Sequence, residues 1–122
     1  MKKLTRKEEE AMKILWKAKK GFIKDLIEYC PDPKPPYTTF STVIRGLEEK
    51  GYIGHKAFGK NHEYHSLITK EEYRKTFMKE VVNDYFGSSY KNVVSFFVSE
   101  NKLKAADLKK VIALIEKGKK NE

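Results

Sequence analysis

The segment from Tyr37 to Thr69 constrains the fold of this 122-residue chain more than any other. Its first part has apolar residues at i, i+3, i+4 and i+7, namely Phe40, Val43, Ile44 and Leu47. This spacing predicts a helix with one buried stripe. Gly51 can end that helix in the left-handed conformation, and extended runs around the glycine-containing segment 58–62 predict a β-hairpin. A helix followed at once by a hairpin is the layout of a recognition helix and its wing.

The face opposite the buried stripe bears short hydroxyls and a guanidinium, from Thr38, Ser41, Thr42 and Arg45. Such side chains reach base edges and phosphates without filling the major groove. The hairpin adds basic and imidazole groups, from His55, Lys56, Lys60 and His62, which we expect to face a phosphate backbone. The alternative interpretation is an ordinary solvated face of an amphipathic helix.

The residues before this segment predict two more helices. Thr5 and Glu8 have the spacing of a capping box, so a first helix starts there and is predicted to end at Gly21. A shorter helix is predicted over about residues 23–29. All four prolines lie within residues 31–36, which therefore form a loop. The predicted order is therefore a helix, a short helix, a loop and the recognition helix. This is the order of a helix-turn-helix with a long turn.

Three further helices are predicted after the hairpin. A second capping box, Thr69 with Glu72, starts a helix that continues to Gly87, and two more follow over residues 90–99 and 105–117. Their apolar residues exceed what so few residues can bury, which predicts a homodimer. The expected dimer contacts are Tyr73, Phe77, Val81, Tyr85, Val94, Phe97, Leu108, Ile112 and Ile115. The alternative is that these helices fold back on the first part of the same chain.

The predicted fold class is therefore mainly α with a small β-hairpin. A winged helix-turn-helix domain is expected over residues 1–69, and a C-terminal three-helix dimerisation module over residues 70–122.

The composition favours a polyanionic partner. Lys and Arg number 26 against 17 Asp and Glu, for a formal net charge of +9. Charge alone does not distinguish DNA from RNA or an anionic membrane. Neither a membrane span nor a signal peptide is evident, so we expect a cytoplasmic location without membrane insertion.

No cofactor or metal is predicted. The lone Cys30 has no partner for a disulfide or a metal cluster. His55, His62 and His65 all lie in the hairpin, but His62 and His65 should point to opposite faces of a strand, which disfavours zinc. The serines lack a glycine-framed nucleophile context and no glycine-rich phosphate loop precedes a helix, so we do not expect an enzyme.

Several motifs together resemble the penicillinase-repressor family of BlaI, MecI and CopY-type winged-helix regulators. The opening Leu4-Thr5, followed by residues 10–16 with the letters EAMKILW, is similar to the start of that family. Residues 39–53, TFSTVIRGLEEKGYI, resemble its recognition helix and exit, and YHSLIT with EEY, at 64–69 and 71–73, resembles its link from the wing. The likeness spans essentially the whole chain.

The resemblance implies a homodimeric, sequence-specific repressor on a palindromic operator of double-stranded DNA. It further implies release through a membrane sensor metalloprotease that responds to cell-wall drugs and leads to cleavage of the repressor. By the same resemblance, Thr38, Thr39, Thr42 and Arg45 face DNA, and residues 73–115 form the dimer domain. Two departures concern function: Phe96-Phe97 replaces the cleavable Asn-Phe pair, and Gly46 replaces a common arginine. The cysteine motif of the copper-responsive branch is absent.

Two other functions compete with DNA binding. The first is a winged helix that binds a protein through Tyr52, Phe58 and Tyr64, without sequence-specific DNA binding. The second is RNA binding, which is disfavoured because the exposed helix face lacks an aromatic platform for unpaired bases. The salt dependence of the affinity distinguishes protein binding from DNA binding. Binding to several phosphates weakens steeply as salt rises, whereas binding through an aromatic protein interface should respond weakly.

Overall fold

The computed structural model describes residues 2–120, except the side chains of residues 115, 116 and 118–120. It divides into two compact units, Met1–Arg74 and Lys75–Glu122. The elements in order are α1 (Arg6–Ala18), β1 (Lys20–Gly21), α2 (Ile23–Glu28), α3 (Tyr37–Glu49), β2 (Ile53–Phe58), β3 (Asn61–Ser66), α4 (Lys70–Tyr85), α5 (Tyr90–Ser99) and α6 (Ala105–Lys120). The predicted fold class, mainly helical with a hairpin, is confirmed. Among the described residues, no helix is both long and apolar enough to cross a membrane.

The first unit packs α1, α2 and α3 against a three-stranded antiparallel sheet of order β1-β3-β2. Its core contains residues from every one of these helices and from β2 and β3, including Met12, Leu15, Leu26, Ile44, Leu47 and Ile53. The predicted stripe of α3 is confirmed at Phe40, Ile44 and Leu47, which are buried, whereas Val43 is only partly buried. Burial of this stripe fixes which face of α3 remains available.

The start of α1 is as predicted, but its end is not. Thr5 and Glu8 form the capping box, with the Thr5 side chain accepting from the Glu8 amide and Glu8 accepting from the Thr5 amide. The helix stops at Ala18, and Lys19, not Gly21, adopts a positive φ of 75°. Gly21 instead lies in β1, where it pairs with Tyr64 of β3. The sequence did not predict β1, because its two residues form a strand only through a partner more than forty positions away.

The hairpin is confirmed with a tighter tip than predicted. Strands β2 and β3 pair from Ile53 with Ser66 to Phe58 with Asn61, so only Gly59 and Lys60 remain in the turn. Gly59 has a φ of 63°, a conformation that glycine adopts without steric cost. We call this hairpin, residues 53–66, the wing.

The second unit contains most of α4 together with α5 and α6. Ser89 caps α5 as predicted by accepting from the Asn92 amide, and α5 has the predicted bounds. Val82 is buried, but no residue of α5 is. The following predicted dimer residues are exposed: Phe77, Tyr85, Val94, Phe97 and Ile112. Val81 and Leu108 are partly buried, and the side chain of Ile115 lies outside the described residues.

Tyr73 differs from the other predicted dimer residues. It belongs to the first unit, where its ring centroid lies 5.6 Å from that of Trp16 and 6.1 Å from that of Tyr52. Its hydroxyl donates to Glu9 Oε2 at 2.9 Å. Tyr73 therefore packs within the first unit, and its assignment to the dimer interface stays a prediction. Helical spacing alone did not reveal these aromatic neighbours, which are distant in sequence.

Candidate nucleic-acid interface

The exposed face of α3 bears Thr38, Thr42 and Arg45, spaced so that all three lie on one side of the helix. Among the side chains that the structure describes, no carboxylate forms a salt bridge with Arg45. The Thr42 hydroxyl donates to the Thr38 carbonyl at 3.0 Å. This face therefore offers a guanidinium without an ionic partner beside two threonines.

A concave surface of about 480 Å³ lies between α2, α3 and the wing. It brings together four of the residues that the sequence singled out: Ser41, Arg45, Lys60 and His62. Seven residues that sequence analysis did not assign to the site also line it: Phe22, Ile23, Lys24, Tyr37, Glu48, Asn61 and Tyr64. Tyr37 could have been found, since it is one helical turn before Ser41. Asn61 lies between Lys60 and His62 in the predicted hairpin, whereas Phe22 and Lys24 join the surface only through tertiary packing.

Ser41 corrects the sequence prediction. We expected it on the exposed face, but only 8% of it is exposed. On α3, Ser41 lies beside the buried stripe that contains Phe40 and Ile44. Both Ser41 and Ile23 of α2 line the concavity. The Ser41 hydroxyl is therefore recessed between α2 and α3, whereas Thr38, Thr42 and Arg45 lie on the exposed face of α3.

Thr39 and Lys56 lie apart from the concavity. Thr39 is exposed but borders a separate apolar cavity of about 340 Å³, next to the proline-rich loop and α1. Lys56 is exposed and pairs across the ribbon with Glu63, so it lies on the opposite face of the wing from His62. Its ammonium lies over the Phe58 ring, 5.3 Å from the centroid. The structure thus gathers Arg45, Lys60 and His62 in one place, but not Thr39 and Lys56.

A chain of side chains joins α3 to the wing. His55 Nδ1 lies 2.5 Å from Glu48 Oε2, in the last turn of α3. The His55 ring stacks on that of His62 with centroids 4.0 Å apart and planes at 5°. His65 is not part of this stack, in agreement with the expected alternation along the strand.

Tyr64 lies beneath this surface. It is buried, and burial raises the pKa of its hydroxyl, an effect to which the nearby Glu48 carboxylate adds and which Arg45 opposes. The phenol therefore stays neutral near pH 7, and the cationic groups above it are not offset by a phenolate.

Comparison with known proteins gives the family. A model of the penicillinase repressor family, described as "Penicillinase repressor", matches residues 4–117. The chain belongs to the penicillinase repressor family. Methicillin resistance regulatory protein MecI of Staphylococcus aureus strain N315 is 25% identical over 111 residues, which cover 90% of each chain. MecI of Staphylococcus epidermidis has the same identity and coverage. MecI of Mammaliicoccus sciuri is 26% identical over 113 residues, again 90% of each chain. Membership supports a role for this chain in transcriptional repression.

In this chain, the C-terminal end of α3 is tied to the start of α1. Glu8 is 6% exposed, and its Oε1 accepts from Lys50 Nζ at 2.6 Å. Burial raises the pKa of Glu8, but hydrogen bonds from Lys50 and Thr5 outweigh it, and the net pKa lies below the ordinary value of 4.5. The ion pair therefore holds Glu8 charged and sets where α3 ends relative to α1.

Gly46 faces this ion pair and not the exposed side of the helix. A Cβ built at Gly46 would lie 3.0 Å from Glu8 Oε2. A larger residue at position 46, such as the arginine common in the family, would therefore meet Glu8 of α1 first.

The competing protein-binding patch is not formed as predicted. Tyr52 and Tyr64 are both buried in the core of this repressor, and only Phe58 of the three aromatics is exposed. Both belong to the core cluster that the helices of the first unit also form. An aromatic contact surface at this location is therefore wrong as an alternative.

Proposed function

We propose that this repressor binds double-stranded operator DNA sequence-specifically as a homodimer. Thr38, Thr42 and Arg45 of α3 enter the major groove, while Lys60 and His62 at the tip of the wing contact the phosphate backbone. The observation that supports this most directly is the concavity in which Arg45, Lys60 and His62 converge from two elements. Thr39 and Lys56 remain candidates for flanking contacts, and we leave recessed Ser41 out of the proposed contacts.

The exposed apolar helices support the homodimer. Every residue of α5 retains solvent exposure, and large apolar side chains such as Phe97 of α5 and Ile112 of α6 are exposed. Burying side chains of this size stabilises an interface by about 1.5 to 3 kcal/mol each. We expect a second copy to cover them in a two-fold arrangement, which would place two reading helices on the two halves of a palindromic operator.

Binding can be tested on the DNA upstream of the gene itself. Fluorescence anisotropy with that duplex, against a duplex of random sequence, should give a clear preference for the former. Arg45→Ala should lose about 1 to 3 kcal/mol of discrimination at one base pair, as for a bidentate contact to guanine. Arg6→Ala, which removes an exposed arginine of α1, is the matched control and should leave discrimination unchanged. Equal binding of all duplexes by the wild type would refute the proposal.

The wing has its own test. Lys60→Ala should weaken binding to all duplexes about equally and lower the slope of log K against log salt by about 0.9. Lys17→Ala, an exposed lysine on α1, should change neither quantity. An unchanged slope in Lys60→Ala would show that the tip of the wing does not meet phosphate.

For release from DNA we propose proteolysis that follows a signal from a membrane sensor. The resemblance supports this, although Phe96-Phe97 stands at the expected position of the Asn-Phe bond. Both residues lie inside α5, so a protease must first unwind that helix. Mass spectrometry of the chain from cells treated with a cell-wall-active drug should reveal fragments that end near these residues. An intact chain together with derepression would instead indicate release by a ligand.

A further inference from the structure

We propose that Glu48 and His55 are positioning residues that hold the His62 ring where the wing meets the DNA backbone. This inference rests on the proposed function and deepens it, because it names the side chains that give the wing its geometry relative to α3. Neither Glu48 nor His55 needs to touch DNA in order to act in this way.

Two contacts connect α3 to the wing, one from Glu48 to His55 and one from His55 to His62. Glu48 belongs to the last turn of α3, and its carboxylate can only accept, so His55 Nδ1 donates to it across 2.5 Å. His55 pairs with Tyr64 and His62 pairs with Ala57, so the two imidazoles are diagonal neighbours on the same face of the wing. The two rings stack nearly parallel with centroids 4.0 Å apart, so the orientation of the His55 ring constrains that of the His62 ring.

A wing needs such a connection because a two-stranded ribbon is barely stable alone. Near its tip the wing extends beyond β1, which pairs only with His65 and Tyr64 of β3. The Glu48–His55 contact ties the ribbon to the core-packed α3 at the level where β1 ends, since His55 pairs with Tyr64, and the stacked His62 ring lies in the free part beyond it. A ring that is oriented before binding loses less conformational entropy when it binds.

The same contact engages a carboxylate at the candidate interface. Glu48 lines the concavity together with Arg45 and Lys60. Each of the two paired side chains is 32% exposed, so an unpaired Glu48 carboxylate would face the approaching phosphates and repel them. His55 therefore both orients the His62 ring and, by donating a hydrogen bond to the Glu48 carboxylate, weakens this repulsion. These two roles make different predictions for combined substitutions.

The first experiment uses the free protein. In ¹H–¹³C spectra of the imidazole groups, His55→Ala should shift the His62 ring resonances, since it removes the stacked ring and its anchor. His65→Ala, which removes the histidine on the opposite face of the wing, should leave those resonances in place. Glu48→Gln retains an acceptor for His55 and should shift His62 less than Glu48→Ala. Unchanged His62 resonances in His55→Ala would overturn the inference without any reference to DNA.

The second experiment measures operator affinity for the same variants, after circular dichroism has shown that each is folded. His55→Ala should bind about tenfold more weakly, the size expected for one charge-assisted contact. Adding Glu48→Ala to it should restore part of the affinity, because the unpaired carboxylate is gone. His62→Ala should cost less in the His55→Ala background than in the wild type.

The outcomes separate the two claims. If the wild type prefers its operator but the His55 and His62 effects are additive, and Glu48→Ala restores nothing, then the positioning role is wrong while the proposed function stands. If the wild type prefers no duplex, both fail. A purely structural role would lower the melting temperature in His55→Ala, and adding Glu48→Ala would give no recovery of affinity.

Discussion

Replacement of the buried Glu8 by alanine should destabilise the first unit more than removal of any exposed charge on α1. The substitution leaves the Thr5 amide without its acceptor at 2.8 Å and Lys50 without its carboxylate at 2.6 Å. Breaking a buried ion pair costs about 3 to 5 kcal/mol, and losing a cap about 1 kcal/mol. The Lys50 side chain is 26% exposed and also donates to the Lys3 carbonyl, so water and that bond offset part of the loss. We therefore expect a loss of about 2 to 3 kcal/mol.

Urea denaturation followed by circular dichroism at pH 7 measures this loss. Glu10→Ala is the matched control, because Glu10 lies on the same helix and pairs with Arg6 at 3.7 Å, with both side chains exposed. That control should cost less than about 1 kcal/mol. If Glu8→Ala is destabilised no more than Glu10→Ala, the Glu8–Lys50 contact does not stabilise the link between α1 and α3.

The same pair predicts a dependence on pH. The folded-state pKa of Glu8 lies below 4.5, because the hydrogen bonds from Lys50 and Thr5 outweigh the effect of burial. The stabilisation is therefore complete above about pH 4.5 and is lost as the pH falls through the folded-state value. Glu8→Gln, which lacks the titrating group, should show a flatter loss of stability below pH 4.5. An identical acid limb in both proteins would contradict this assignment.

Three further outcomes follow from individual contacts. Gly46→Ala should change the free energy of unfolding of the wild type by less than about 0.5 kcal/mol, because a gain in helix propensity is offset by the approach of the new Cβ to Glu8. In the Glu8→Ala background that approach is gone, and urea titration should show an increase in the free energy of unfolding of about 1 kcal/mol. Burial raises the pKa of the Cys30 thiol. Iodoacetamide at pH 8 should therefore modify Cys30 slowly in the folded protein and quickly in urea, and mass spectrometry can follow both reactions. Equal rates of modification would contradict the burial of Cys30. Ile112→Glu should shift the sedimenting species from dimer to monomer, whereas Lys110→Glu should not, and a monomeric wild type would refute the proposed homodimer.

Features that depend on nearby residues were predictable from the sequence, and features that depend on distant partners were not. The capping boxes at Thr5 and Thr69 and the bounds of α5 follow from spacings within a few residues. By contrast, β1 exists only because β3 pairs with it, and Ser41 is recessed only because α2 packs beside α3.

The candidate site divides in the same way. The helical period identified Arg45 and the hairpin pattern identified Lys60 and His62, which the structure brings together. The Glu48–His55 contact was missed, because seven residues and a change from helix to strand separate its partners, and no periodicity describes such a pair. Register between strands likewise decides that Lys56 and His62 lie on opposite faces, and the sequence gives that register only after the turn is known.

The hydroxyl of Thr42 is already committed within its own helix. Its proton goes to the Thr38 carbonyl, so toward an incoming base this oxygen can only accept. In the major groove, accepting from an exocyclic amine means adenine or cytosine, while the side-chain methyl suits the methyl group of thymine. If α3 enters the groove as proposed, guanine, which presents only acceptors along that edge, is the one base that Thr42 disfavours.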